Sequence, residues 1–236
     1  LFLVMKKRKS KSRKGRRTYK IYIFRHGQTT FNKKGIFTGH KNPPLTKLGI
    51  KQSQKVARFL KNKKIQVAFQ TRLSRSKEPL KYVSRYHPEC KRVITDNRMI
   101  ERGYGVLEGM RHEDFIKKIG KRAYDLEVEG DAIENLAPNL RKKVERLLGE
   151  EEFKAIHRGY DVAVPRGESF ADVEKRVASF IKYLKKLIKK NKVNVVISGH
   201  GNSIRLFRKI MEKASKEEAV KWFIPYDKVF SYSVKV

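Results

Sequence analysis

Two short stretches, Arg25-His26-Gly27-Gln28-Thr29 and Gly199-His200-Gly201-Asn202-Ser203, each set a histidine beside glycine just after a β-branched or aromatic run. Glycine lets a ligand approach the backbone closely, and an imidazole can serve as nucleophile or proton carrier near neutral pH. One histidine is more often structural than chemical, but two in matching settings invite a paired role. Gln70-Thr71-Arg72-Leu73-Ser74-Arg75-Ser76 follows a third run with two arginines, and Glu101-Arg102-Gly103-Tyr104-Gly105 follows Val93-Ile94 with a carboxylate. The guanidinium fork matches phosphate oxygens, so Arg25, Arg75 and the two histidines point to a bound phosphoryl group. Surface ion pairs are the plain alternative for any one arginine, and they explain less as the pattern recurs at four strand ends. Gly199-His200-Gly201 does not extend to a dinucleotide loop, because Ile204 stands where the third glycine is needed. His40, His87, His112 and His157 lack metal-ligand spacing, so no metal site is expected.

Positioning such residues requires strands that end together. Tyr19–Phe24, Ile65–Phe69, Val193–Ser198 and Val229–Val234 read as strands, and the amphipathic stretches between them as helices. Thr46 caps a helix reaching about Leu60. Ser169-Phe170-Ala171-Asp172 is a capping box opening a helix whose Val173, Val177, Phe180, Ile181, Leu184 and Ile188 share a face, and Ser215-Lys216-Glu217-Glu218 is another. This alternation is the pattern of an α/β layer fold, in which sites lie at the carboxyl ends of the strands. The segment from about 110 to 165 differs: it is acidic and helical at Glu127–Glu134 and Leu140–Phe153, with no strand, and reads as an insertion over one end of the sheet. Trp222-Phe223-Ile224-Pro225 reads either as packing for the last helix or as a subunit contact.

The chain has 236 residues, with 58 Lys and Arg against 24 Asp and Glu, a formal charge of +34. Its 39% hydrophobic content is enough to close a core and argues against wholesale disorder. No stretch reaches the length of a bilayer span, and Leu1–Met5 is too short for a signal-peptide core, so a cytoplasmic protein is expected, with Met5 a candidate start. The single Cys90 excludes an internal disulfide. Residues 1–20 hold ten Lys and Arg and no acid. Residues 1–18 read as a basic tail, either a solvated arm or one that contacts nucleic acid or an anionic surface nonspecifically, and 19–236 as the catalytic domain. The basic body would steer anionic substrates toward a site, an effect that weakens with salt.

Arg25-His26-Gly27-Gln28-Thr29-Thr30-Phe31-Asn32 resembles the opening motif of the histidine phosphatase superfamily. Phe37-Thr38-Gly39, Leu45-Thr46 with Gly49, Leu73-Ser74-Arg75, Glu101–Gly105 and His200-Gly201-Asn202-Ser203-Ile204-Arg205 narrow the resemblance to its cofactor-dependent phosphoglycerate mutase branch. It covers roughly residues 19 to 236, in the family's order. The resemblance implies a three-layer α/β/α sandwich with a mostly parallel sheet and a helical insertion over the active site. It further implies that His26 accepts the phosphoryl group as a neutral imidazole, kept so by nearby arginines, while Arg25, Arg75 and His200 surround that group. Asn32 and the Gly201-Asn202 backbone would complete the cradle, Glu101 would act as general acid and base, and Thr38, Gly39 and Tyr104 would meet the rest of the substrate.

In a mutase, 2,3-bisphosphoglycerate would prime the histidine without a metal ion, and 3-phosphoglycerate and 2-phosphoglycerate would interconvert. In a phosphatase, the same intermediate would pass to water. The chain departs from the mutase pattern at His112, where a lysine is expected, and at His157-Arg158, where the branch has two arginines. Arg111 or Arg166 are candidate substitutes, while Pro165-Arg166-Gly167-Glu168-Ser169 is closer to the phosphatase form. A third reading, a polyanion-binding protein on an inactive scaffold, would be expected to have lost one of His26, Arg75, Glu101 or His200.

Overall fold

Ile21 and Ile23 of strand β1 (Thr18–Arg25) belong to one buried apolar cluster, and Tyr22 and Phe24 to another. Side chains alternate along a strand, so a strand apolar on both faces must be covered on both. The split recurs in β2 (Val67–Gln70), where Val67 and Phe69 oppose Ala68, and in β4 (Val195–Gly199), where Val195 and Ile197 oppose Val196. The computed structural model describes residues 17–127 and 136–236. In these, with β3 (Arg92–Thr95) and β5 (Val229–Lys235), the strands form one sheet in the order β3-β2-β4-β1-β5. The first four run parallel and β5 runs antiparallel beside β1.

Helices α6 (Phe170–Asn191) and α7 (Gly201–Glu212) bury Phe170, Val177, Leu184 and Phe207 against the Ile21–Ile23 side. Helices α2 (Lys47–Leu60) and α3 (Ser74–Ser84) bury Val56, Leu60, Leu80 and Val83 against the Tyr22–Phe24 side. This is a three-layer α/β/α sandwich, as the motifs implied. Thr46 caps α2 by accepting from the Gly49 N–H, Ser169 and Asp172 close the capping box of α6, and Ser215 caps α8 (Lys216–Lys221). Among the described residues no helix is long and apolar enough to cross a membrane.

Each of the four strands read from sequence ends one residue later than expected, β1 starts one residue early, and two strands start two residues late. Ile65 and Gln66 precede β2, and Val193 and Asn194 precede β4, where the Asn194 side chain accepts from Lys20 N and donates to the Lys64 carbonyl. β3 was not among the four runs read as strands, because this four-residue edge is mostly exposed and lacks clean alternation. The segment after it builds the roof of the site. Helices α4 (His112–Glu127) and α5 (Pro138–Arg158), the latter opening on a proline at its start, pack on each other. Phe115, Ile116, Phe153 and Ile156 from this pair join Phe37, Tyr104 and Val164 in a third apolar cluster. The acidic run 128–135 and the basic tail through residue 16 lie outside the described residues.

Candidate active site

The parallel register of β1 and β4 pairs Arg25 with Gly199, so the next residues, His26 and His200, leave the sheet side by side. The His26 N–H donates to the Gly199 carbonyl at 3.2 Å, and the two imidazole centroids lie 5.1 Å apart at 62°. β2, on the other flank of β4, delivers Thr71, whose hydroxyl pairs with His200 Nε2 at 2.8 Å, and then Arg75 in the first turn of α3. β3 leads through a short 3₁₀ turn at Asn97–Met99 to Glu101. Four parallel strands therefore empty into one place, as open α/β sheets do.

His26 is only 2% exposed. Its Nδ1 lies 2.7 Å from the Gly27 carbonyl, which can only accept, so the ring proton sits on Nδ1 and the lone pair on Nε2. Burial lowers the His26 pKa well below that of a free imidazole, and Arg75 and then Arg25 lower it further. The arginines thus act as expected, second to desolvation. His200 is lowered for the same first reason, followed by Arg75. The Thr71 hydroxyl occupies His200 Nε2, and His200 Nδ1 is buried without a hydrogen-bond partner.

The arginines are similarly held with something to spare. Arg75 spends Nη1 and Nη2 on the carbonyls of Lys41 and Gly39, and burial pushes its pKa down to about 10, so it is charged at neutral pH. Arg25 donates Nη1 to the Ile224 carbonyl and stacks on Tyr226 at 4.1 Å. Both Nε atoms are buried without a partner. Unmet buried donors are costly, and these two, on the arginines that lower the His26 pKa, form a receptacle for anionic oxygens.

Glu101 Oε1 accepts from the N–H groups of Arg102 and Asn202 at 2.9 and 3.0 Å. Asn32 spends its side-chain oxygen on Thr29, whose own hydroxyl caps α1 (Thr30–Lys34), which leaves its amide donors for a ligand. Tyr104 accepts from the Asn202 amide at 3.4 Å. A pocket of about 260 Å³ opens beside the histidines and is lined by Arg25, Asn32, Thr38, Gly39, Glu101, Tyr104, His112, Arg158, Gly201 and Asn202. His26, Arg75 and His200 are not in its lining but neighbour it: Arg75 donates to the Gly39 carbonyl, and the His26 ring lies 6.5 Å from the lining Tyr226 and 5.1 Å from His200.

Two glycines make the nucleophile loop. A Cβ on Gly27 would fall 2.0 Å from the Gly49 carbonyl oxygen, where the first turn of α2 crosses the loop. Gly27→Ala is expected to destabilise the protein by about 1–3 kcal/mol, seen as a lowered Tm, since this overpacking meets backbone and not a movable side chain. An unchanged melting curve would contradict the close crossing. A second prediction follows from the buried neutral imidazoles. Unfolding frees His26 and His200 to protonate near pH 6.5. The unfolded chain then binds more protons, and stability falls as pH drops below that value. Each histidine contributes a slope approaching about 1.4 kcal/mol per pH unit. Urea unfolding at pH 7, 6 and 5 checks this, and a flat profile would mean that both rings are charged in the folded protein.

Several working residues escaped the sequence reading. Arg102, fully buried, donates to the carbonyls of Glu168, Ile156 and Val162, and Arg176 donates to those of Arg98, Ile100 and Glu101; together they bolt the Glu101 loop to α5 and α6. Arg205 lines the pocket while holding Asn202 and the Trp222 carbonyl; burial lowers its pKa to about 10, leaving it charged. The two candidates for such a cation, Arg111 and Arg166, are not in the pocket lining. Arg111 is paired with Asp114 on the surface, and Arg166 is exposed and does not line the pocket. His157 stacks on Phe153 at 4.5 Å and meets His112 at 5.2 Å, and burial drives its pKa to about 3. Ile224 is core, whereas Phe223 is 65% exposed and lines the pocket.

Known proteins share both the sequence and the fold. The family model of the Histidine phosphatase superfamily (branch 1) matches residues 21–145 and 138–233. The 2,3-bisphosphoglycerate-dependent phosphoglycerate mutase of Chlamydia pneumoniae is 30% identical over 231 residues, spanning 91% of this chain and 93% of that one. Among solved structures, a mycobacterial glucosyl-3-phosphoglycerate phosphatase superposes with a TM-score of 0.66 at 19% identity, covering 92% of this chain and 91% of that one. Phosphoglycerate mutase from Bacillus anthracis superposes with a TM-score of 0.65 at 16% identity, covering 94% and 92%. These two structures speak to the fold alone. With its paired strand-end histidines and a family match across nearly the whole folded body, the chain belongs to the histidine phosphatase superfamily.

Proposed function

We propose that this protein transfers phosphoryl groups through a phosphohistidine on His26 and interconverts 3-phosphoglycerate and 2-phosphoglycerate, with 2,3-bisphosphoglycerate as primer and no metal ion. The observation that carries the phosphoryl reading is the pair of unpartnered buried donors, Arg25 Nε and Arg75 Nε, on the two arginines whose charge acts on the buried His26 ring. The lone pair on His26 Nε2 attacks phosphorus as the P–O ester bond breaks, and the leaving oxygen takes a proton from Glu101. In the return step the acceptor hydroxyl gives its proton to Glu101 and the P–N bond breaks. Charge on the transferring oxygens is met by fixed donors, so little reorganisation is needed. The mutase reading is supported by a relative of that name along nine-tenths of the chain, and by Arg158 and Arg205 in the pocket as cations for the non-reacting end of the substrate. A cytoplasmic location belongs to this proposal.

A phosphomonoesterase that yields the phosphoryl group to water is the second reading, and His112 with His157 favours it. Burial lowers both imidazoles, so two positions that carry cations in the mutase branch are neutral here. An inactive polyanion-binding scaffold is less well supported, because His26, Arg75, Glu101 and His200 are all in place.

The deciding experiment incubates 3-phosphoglycerate with the enzyme, a trace of 2,3-bisphosphoglycerate and EDTA, and follows 2-phosphoglycerate and free phosphate together. Isomer forming faster than phosphate is the expected result. Phosphate with little isomer would replace it with the phosphatase reading, and a requirement for added magnesium would overturn the metal-free chemistry.

A further inference from the structure

A long basic stretch of the described body lies between the two reacting histidines in the chain. Between residues 47 and 92 there are fourteen Lys and Arg and only two acids, Glu78 and Glu89. Those residues include α2 and α3, whose apolar sides pack on the sheet and whose other sides form the outer surface of that layer. Glu89 is engaged by His87, so Glu78 is the carboxylate left to offset this surface. Among the described residues, Arg58, Lys61, Lys77, Lys81 and Arg85 make no ion pair, and all five are exposed. So much unneutralised charge of one sign costs self-repulsion unless a polyanion relieves it.

The surface is also shaped. One depression of about 300 Å³ is lined by Arg58, Tyr82, Arg85 and Tyr86, and an adjoining one of about 400 Å³ by Lys77, Lys81, Tyr82 and Arg85. They share Tyr82 and Arg85, and so form one interrupted groove. Cations and rings alternate along it: Arg85 lies 5.3 Å from the Tyr82 ring and Lys61 5.9 Å from that of Tyr86. Tyr86 is 40% exposed, and at the same edge Phe59 is 59% exposed with Lys63 at 6.0 Å. Exposed rings add nothing to the recognition of a simple polyanion such as polyphosphate, whereas they are stacking platforms for unpaired bases.

We infer that the α2–α3 groove is a binding surface for single-stranded nucleic acid, with Arg58, Lys77, Lys81 and Arg85 on the phosphates and Tyr86 stacking a base. The surface belongs to the folded body and is separate both from the basic tail and from the phosphoryl-transfer site. Binding is nonspecific in sequence, because a ring face and a guanidinium read no base edge.

The test uses the full chain and fluorescence anisotropy with labelled U12 RNA, dT12 DNA, a DNA duplex and inorganic polyphosphate across a salt series. Both single strands are expected to bind more tightly than the duplex. Arg58→Ala/Arg85→Ala should weaken them about tenfold and lower the salt slope by about 1.4, since each phosphate contact on a single strand contributes about 0.7. Tyr86→Ala should weaken the single strands about fivefold or more and leave polyphosphate unchanged. Phosphoryl transfer by these variants should match the parent, which shows that they fold. Three results would overturn the proposal. These are wild-type affinity in both variants, which would move binding to the tail; equal losses for polyphosphate and single strands in Tyr86→Ala, which would leave only charge; and preference for phosphatidylserine vesicles over either single strand.

Discussion

Turnover is expected to fall on the order of 10⁴-fold or more when His26 is replaced by alanine, as it does when an enzyme loses its nucleophile. The geometry offers no replacement. His200, the neighbouring imidazole, is fully buried with its Nε2 tied to the Thr71 hydroxyl at 2.8 Å, so that nitrogen is not free to attack. His26 instead has its proton fixed by the Gly27 carbonyl and its basicity suppressed by burial and two arginines. Substrate affinity should survive the change, because Arg25, Asn32, Arg158 and Arg205 remain around the pocket. Steady-state kinetics with isothermal titration of a substrate separates the two effects. Residual turnover within tenfold of the parent would mean that another group takes the phosphoryl.

The second large effect is expected at Glu101. Glu101→Gln keeps the oxygen that accepts from Arg102 N and Asn202 N but removes the transferable proton. A loss of about 10²–10⁴-fold in kcat with little change in KM follows if it serves as general acid and base. The loss should shrink for substrates whose leaving oxygen is already a weak base, such as an aryl phosphate, because its departure needs no proton. An equal loss with both substrate types would assign Glu101 to positioning alone.

Much of the fold was readable because β1 and β4 bury both faces and so appear as unbroken apolar runs, and because Thr46 and Ser169 announce the helices they cap. The strand-end histidines were readable because glycine beside histidine after such a run is a local signal. β3 was obscure, since an exposed edge carries little of the alternation that marks a strand. Arg102 and Arg176 were obscure for another reason. Each acts through backbone carbonyls 54 to 78 residues away, and neither Arg102's place in the Glu101–Gly105 motif nor anything around Arg176 announces that bracing role. The wall of Phe37, His112, Phe153 and His157 likewise draws its members from three separate segments, so only the folded chain shows that the two histidines sit among rings.

The phosphoenzyme itself is the most direct test of the chemistry at His26. Enzyme mixed with 2,3-bisphosphoglycerate, quenched in base to preserve a phosphorus–nitrogen bond and digested, should yield one phosphoryl adduct on the peptide carrying His26, labile to acid and absent from His26→Ala. An adduct on His200, or product formation with no adduct at all under rapid quench, would contradict phosphoryl transfer through His26.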